Sequence, residues 1–217
     1  MAGGKRYKFS GSEIALSIAF SGNTVISGIS RAKPAMVTAA DHGYIEGDVV
    51  KIGDVSGMTE INDRLFVVGD VTDDTFELID VDSTKYGAFA GPGGSVQVAQ
   101  MSNFCELTGY NRSGGSSPEI DATTICSEAS EFEVGLPDFG TTQFDYNFAP
   151  RSAIQMAVEK AYRNQETVAI RTKLPKNGGA MVQLGFVQQT SESASNGGLW
   201  TGSMTVRNTG QRIDIAI

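Results

Sequence analysis

The stretch Thr141–Arg163, TTQFDYNFAPRSAIQMAVEKAYR, switches from a two-residue to a 3.6-residue repeat, and that switch decides how the chain folds. Phe144, Tyr146 and Phe148 alternate with polar residues, so an extended backbone places three aromatic rings on one face. Pro150 stops this strand, because it has no N–H to give to a ladder. Ser152 and Gln155 then fit a capping box, the hydroxyl accepting from the amide three residues on and the glutamine reaching back to the cap amide. Ile154, Ala157, Val158 and Ala161 form an apolar stripe with Tyr162 at its edge and Glu159, Lys160 and Arg163 opposite. The spacing predicts one core strand followed by one amphipathic helix of about 12 residues, whose stripe is core packing.

Working outward, Thr167–Leu174 and Gly179–Gln188 predict a hairpin around Pro175-Lys176-Asn177-Gly178, and Leu199–Arg207 predicts a further strand after the polar loop Thr190–Gly198. Near the start, Ala15–Phe20 and Thr24–Ile29 flank Gly22-Asn23 and predict a second hairpin. Val98–Thr108 reads as a strand and Gly109–Ser117 as a flexible loop. Strands, one helix, then strands indicate a mainly β (α+β) fold, a β-sandwich or barrel with one packed helix. Val, Ile, Thr and Phe at two-residue spacing agree with this. Residues 1–9, with Lys5, Arg6 and Lys8, read as a mobile basic arm with too few cations for a nucleic-acid tail.

Charge divides the chain. Residues 34–96 hold 12 Asp and Glu against 3 Lys and Arg, a net of −9, while the remainder holds 13 against 14, a net of +1. Within this acidic segment Ala35–Thr38, Asp48–Ile52, Leu65–Val68, Thr75–Ile79 and Gly94–Val98 predict short strands of a small barrel or sandwich. The expected organisation is one β domain from 1–33 and 98–217, with 34–97 as an inserted small all-β domain.

Pro118–Gly140, PEIDATTICSEASEFEVGLPDFG, is acidic against that balanced background. Glu119–Thr123 and Glu131–Val134 alternate and predict two half-buried strands, and the turn residues between and after them leave Phe139 exposed at a loop tip. A loop with apolar tips points to a partner.

Catalytic motifs fail one by one. Gly91-Pro92-Gly93-Gly94-Ser95 lacks the lysine of a phosphate loop and opens no helix. The single histidine, His42, reads as part of a turn and has no nucleophile elbow. Asp80–Lys85 begins like a calcium loop, but Lys85 stands where glycine is needed and Gly91 where a bidentate glutamate is needed. Cys105 and Cys126 have no metal spacing and read as buried, reduced thiols. No apolar run reaches the roughly 20 residues of a membrane span, and no signal-peptide pattern opens the chain. The expectation is a soluble, cytosolically made protein without enzyme activity, metal or cofactor.

Two resemblances add to this reading. His42-Gly43-Tyr44, Gly47–Val50, Gly57–Asn62, Asp70–Thr72 with Thr75–Leu78, and Val81–Thr84 through Tyr86-Gly87 resemble a β module of phage virion proteins that is often named after a half-domain of ubiquitin-activating enzymes. That implies an inserted decoration and no ubiquitin chemistry. Glu119–Thr124, Glu131–Asp138, the helix from Ser152, the hairpin to Gln188 and Leu199-Trp200-Thr201-Gly202 together resemble the major tail tube protein of long-tailed, lambda-like, non-contractile bacteriophages. This resemblance implies a structural virion protein forming stacked hexameric rings, with strands of neighbours joined into an inner barrel. The tube carries genome DNA around a tape-measure protein, meets tail terminator and distal tail proteins, and touches no membrane. It is assembled in the host cytoplasm and resides in the virion tail, and its arm and long loops, here 1–10 and 111–140, order on assembly.

By position Phe132, Leu136, Pro137, Asp138 and Phe139 are candidates for ring stacking. Glu131 and Glu133 either face the lumen, where like charge repels DNA, or solvate an outer face. The insert is expected to project outward, since it would block the bore. Two other functions stay open. One is a tail terminator or secretion-tube ring protein of related fold; the other is a carbohydrate- or cell-surface-binding role for 34–97, with Tyr44, Phe66, Phe76, Tyr86 and Phe89 as sugar-stacking rings.

Overall fold

A computed structural model of the chain describes residues 6–215. The strands are β1 (Glu13–Val25), β2 (Gly28–Ile29), β3 (Ala35–Thr38), β4 (Val49–Gly53), β5 (Arg64–Val71), β6 (Thr75–Leu78), β7 (Ser95–Asn103), β8 (Leu107–Arg112), β9 (Glu119–Asp121), β10 (Phe132–Val134) and β11 (Thr141–Asn147). Helix α1 (Ala153–Asn164) follows, then β12 (Thr167–Lys173), β13 (Ala180–Ser193), β14 (Thr201–Asn208) and β15 (Ile213–Ile215). The fold is mainly β with one α-helix among the described residues, as the period switch predicts. One antiparallel sheet runs β2-β3-β6-β5-β4-β7-β1-β12-β13-β14-β11-β8, with β15 added beside β13, and β9 and β10 pair separately.

The sheet folds over on itself. Ile14 and Leu16 of β1 share one core cluster with Phe144 and Tyr146 of β11, although three strands separate β1 from β11 in the sheet. Strands lie about 4.8 Å apart, so such contact requires the sheet to close around a core. α1 plugs that core with Ile154, Val158 and Ala161. Complete burial of a ring such as Phe144, with none of its surface exposed, contributes about 2–3 kcal/mol.

The acidic segment builds a second core from Val37, Val50, Ile52, Phe66, Phe76 and Leu78. Alternation makes β4 and β5 two-faced. Val50, Phe66 and Val68 point into that core, while Val49, Leu65 and Val67 meet Ala169, Ala180, Val182 and Ile215 of β12, β13 and β15. β12 is buried on both sides for the same reason, with Val168 and Ile170 toward the α1 core and Ala169 toward β4 and β5.

The predicted hairpin at Gly22-Asn23 is instead one strand. β1 runs through both residues, with Gly22 at φ 75°, and shifts register against β7 between Ser21 and Thr24. Glycine serves a bulge there as well as a turn. Gly94–Val98 and Val98–Thr108 likewise merge into the single strand β7, whose far end turns at Phe104–Glu106 into β8, so Gly109–Arg112 is strand and not loop. The hairpin of β12 and β13 forms around Pro175–Gly178, pairing Lys173 with Ala180.

Ser152 caps α1 by accepting from the Gln155 amide at 3.3 Å. The second half of the capping box differs. The Gln155 side chain accepts from Ala149 N at 2.9 Å and donates to Asn147 O at 3.0 Å, while Ser152 N is already taken by Ala149 O. Gln155 therefore ties the helix to the end of β11. Of the expected basic arm, residues 1–5 lie outside the described residues; Tyr7 lies beside Gly178 in the β12–β13 turn.

Candidate assembly surfaces

One flank of the folded sheet is bare. β8, β11, β14 and the end of β13 send Tyr110, Phe144, Tyr146, Met204 and Val206 inward, and alternation turns polar residues outward. The register lines these up in two rows, Asn111–Gln143–Thr205–Gln189 and Gly109–Asp145–Ser203–Ser191. Asp145 is the one carboxylate in them; its Oδ1 accepts from the Gln143 amide at 3.2 Å. Ser191 and Ser203 share a hydrogen bond of 2.8 Å on the same face.

Both margins of this four-stranded unit are open among the described residues. β8 pairs only with β11, and β13 pairs with β12 only as far as Phe186 although it continues with β14 to Ser193. The strands alternate in direction, so β8 runs antiparallel to β13.

Beyond Arg112 and Thr141 the β8–β11 pair leaves the sheet as a ribbon. Ser113 N donates to Thr141 O, Ser116 pairs with Asp138, Gly135 N donates to Pro118 O, and β9 and β10 continue the ladder from Glu119 opposite Val134 to Asp121 opposite Phe132. A ribbon from residue 112 to 121 spans up to about 30 Å. At its foot the Asp138 carboxylate accepts from Arg207 at 2.8 Å and from Gly140 N at 2.8 Å. Gly140 has φ 76°, and a Cβ there would run into the Ser113 and Gly114 carbonyls.

The strands predicted at Glu119–Thr123 and Glu131–Val134 are present, but every residue of β9 and β10 is exposed, because no second layer covers them. Phe132 is 60% and Leu136 89% exposed, and Pro137 is exposed too. Asp138 and Phe139 are half-buried: Asp138 holds the ribbon's foot, and Phe139 lines a cleft shared with Val81, Val182 and Ile213 instead of standing out at a tip. Phe132 and Val134 share a face with Asp121 and Glu119; Glu133 shares the other with Ile120, and Glu131 follows it by alternation. The Thr123 hydroxyl and amide hold the Asp121 carboxyl below its ordinary range.

At the opposite end of the same four strands lies an apolar patch that the sequence reading takes for an ordinary strand start. Leu199 is 75% and Trp200 58% exposed, and Trp200 tilts against Phe148 with ring centres 6.0 Å apart. A groove of about 440 Å³ between α1 and the end of β13 runs on from Phe148 past Met156, Lys160 and Thr190.

The remaining candidates are structural. Cys105 and Cys126 are exposed free thiols and not buried ones, since they lie in the β7–β8 turn and the ribbon tip. His42 is buried, stacks on Tyr44 at 4.9 Å and accepts from Tyr44 N at 3.0 Å. Tyr44, Phe66 and Phe76 are core residues with no open ring for a sugar, while Tyr86 and Phe89 pack against that core and stay partly exposed. The Asp82 turn closes on Thr84, which holds the carboxyl low. No group of three His, Cys, Asp or Glu suited to a metal occurs among the described residues, and no described helix is long and apolar enough to cross a membrane.

No curated protein matches the chain at a significant level. Residues 56–212 match the model of a family described as phage tail tube protein, TTP, and that span is well over half of the chain. The mainly β architecture with a single α-helix among the described residues is consistent with that match, and the chain is a member of the phage tail tube protein family, a structural component of the virion tail.

Proposed function

We propose that copies of this chain close into hexameric rings that stack into the tail tube, a conduit for genome DNA around the tape-measure protein. The observation that carries the ring is the pair of open margins on one four-stranded unit. β8 of one copy lies antiparallel beside the end of β13 of the next, a heterologous contact that closes if the rotation between copies closes. Repetition turns the polar rows into a continuous inner wall.

The wall's composition suits passage. Hydroxyls and amides stay hydrated, and Asp145 adds a repeating negative charge that keeps phosphates from lodging. Glu131 and Glu133 extend this charge along the ribbon. The segment 34–97 behaves as an inserted decoration carried on the flank away from the wall, because β4 and β5 pack on β12 and β13, across the folded sheet from β11 and β14. The ribbon, with Phe132, Leu136 and Pro137 exposed, reaches the next ring along the axis, and its foot at Asp138 and Phe139 fixes its direction. Tail terminator and distal tail proteins meet the two ends of the stack, and assembly takes place in the host cytoplasm.

Negative-stain electron microscopy of the purified protein tests this reading. Tubes of uniform bore are expected. Single rings that never stack favour a terminator role, and monomers at every concentration overturn the proposal.

A further inference from the structure

We infer that the surface receiving the ribbon is the Phe148–Leu199–Trp200 patch of a second copy in the adjoining ring. This rests on the tube reading and names the partner of its stacking contact. The ribbon leaves the four-stranded unit at the Arg112 and Thr141 end, whereas Phe148 and Trp200 lie where β11 finishes and β14 begins, at the other end of the same strands. A donor at one end and an acceptor at the other make a head-to-tail contact, which repeats without limit along an axis.

The two surfaces match in chemistry. Residues 118–137 carry Glu119, Asp121, Glu128, Glu131 and Glu133 with no lysine or arginine, and expose Ile120, Phe132, Val134 and Leu136. None of those five carboxylates forms an ion pair within the described residues. The patch offers exposed Leu199 and Trp200, with Met156 at 54% exposure in the adjoining groove. Arg151, exposed and outside every ion pair of the described residues, sits between the end of β11 and the cap of α1, whose first amides favour anions. The groove itself is balanced, Lys160 and Arg163 standing against Glu159 and Glu192, so Arg151 tips the patch positive while exposed aromatic and aliphatic anchors, the make-up of an interface core, carry the contact.

The chain carries its own reporters. Cys126 lies in the ribbon tip, and Cys105 lies in the β7–β8 turn, next to Glu106, whose carbonyl accepts from Asn147 N beside the patch. Assembled wild-type tubes treated with a short bismaleimide should give a ladder of covalent oligomers containing a Cys105–Cys126 linkage between copies, identified by peptide mass.

Trp200→Ala and, separately, Leu199→Glu should raise the protein concentration needed for stacking at least about tenfold while single rings still form. Both side chains are largely exposed, so unchanged circular dichroism is expected for the two variants. Tubes that stack as wild type in both variants, or tubes whose Cys126 links only to another Cys126 or to a different protein, overturn the patch while leaving the tube reading intact. Failure of the wild type to form rings overturns the tube reading itself.

Discussion

Asp138 and Arg207 meet at 2.8 Å across the foot of the β9–β10 ribbon, joining the segment that leaves the sheet to the strand that stays in it. Both side chains are about 40% exposed, so solvent screens the pair, and its contribution to global stability is small. Its larger effect is local, because Asp138 also accepts from Gly140 N and pairs its backbone with Ser116.

Asp138→Asn removes the charge and keeps the shape. Global stability should fall by about 1 kcal/mol or less. The amides of Ser116, Gly135 and Asp138 should exchange hydrogen faster while those of β12 stay protected, since opening the ribbon is a sub-global event. Hydrogen-exchange mass spectrometry resolves the two, and equal exchange change in both regions would show that the ion pair supports the whole fold.

Gln155 carries a second junction. Its amide satisfies Ala149 N and Asn147 O, and Gln155 is 7% exposed, so Gln155→Ala leaves a part-buried donor and a part-buried acceptor without their partner. A stranded group costs about 1–3 kcal/mol when fully buried and less where water reaches it, so each loss here should lie toward the low end of that range. A fall in melting temperature of several degrees is expected at about 2–4 °C per kcal/mol for a chain of this size. Ser152→Ala should cost about 1 kcal/mol through the lost cap alone. Equal melting temperatures for the two variants would contradict the bridging role of Gln155.

These two junctions also show where sequence is legible and where it is not. The Ser152 cap and the stripe of Ile154, Val158 and Ala161 are local, set within two helical turns, and structure and sequence agree on them. Gly22-Asn23 carries the same signal whether the chain turns back or bulges; the outcome is decided by β7, paired from Val96 opposite Thr24, which no local window contains. The alternation of Glu119–Asp121 and Phe132–Val134 announces strands, but burial depends on a covering layer, and β9 and β10 have none. Leu199 and Trp200 escape notice for the converse reason: apolar residues default to the core, and only the fold reveals a pair left outside it. The polar rows through Asp145 become a surface only when register sets four strands side by side.

Tyrosine ionisation sets an alkaline limit. Burial raises the pKa of Tyr44, Tyr110 and Tyr146 above the ordinary phenol value; the hydrogen bond from Tyr44 to Thr24 and the charges of Arg112 and Arg212 near Tyr110 offset it only in part. The unfolded chain releases these protons near pH 10 and the folded chain later, so above about pH 10 the unfolded state binds fewer protons and stability falls as pH rises. Below that value the contribution is fully present. A melting temperature insensitive to tyrosine up to about pH 9 and declining beyond pH 10 is expected, with a shallower decline in Tyr110→Phe. Titration by phenolate absorbance should show a late-ionising group among the six tyrosines, and a single early step for all six would refute the assignment.

Asp145 tests which face lines the bore. Its carboxylate stands in the middle of the polar rows, exposed and held only by Gln143, so Asp145→Arg replaces a negative by a positive charge without touching the Phe144 or Tyr146 side of β11. The substitution leaves the proposed β8–β13 contact between copies untouched, so tubes should form as for wild type. The charge change repeats in every copy, giving a positively lined channel that attracts phosphates and releases counterions on binding. Short duplex DNA should co-sediment with the variant tubes at low salt at least about tenfold more strongly than with wild type, and the excess should vanish as salt is raised. Virions built with the variant should eject their genome more slowly. Variant tubes that retain no more DNA than wild type would place this face away from the bore.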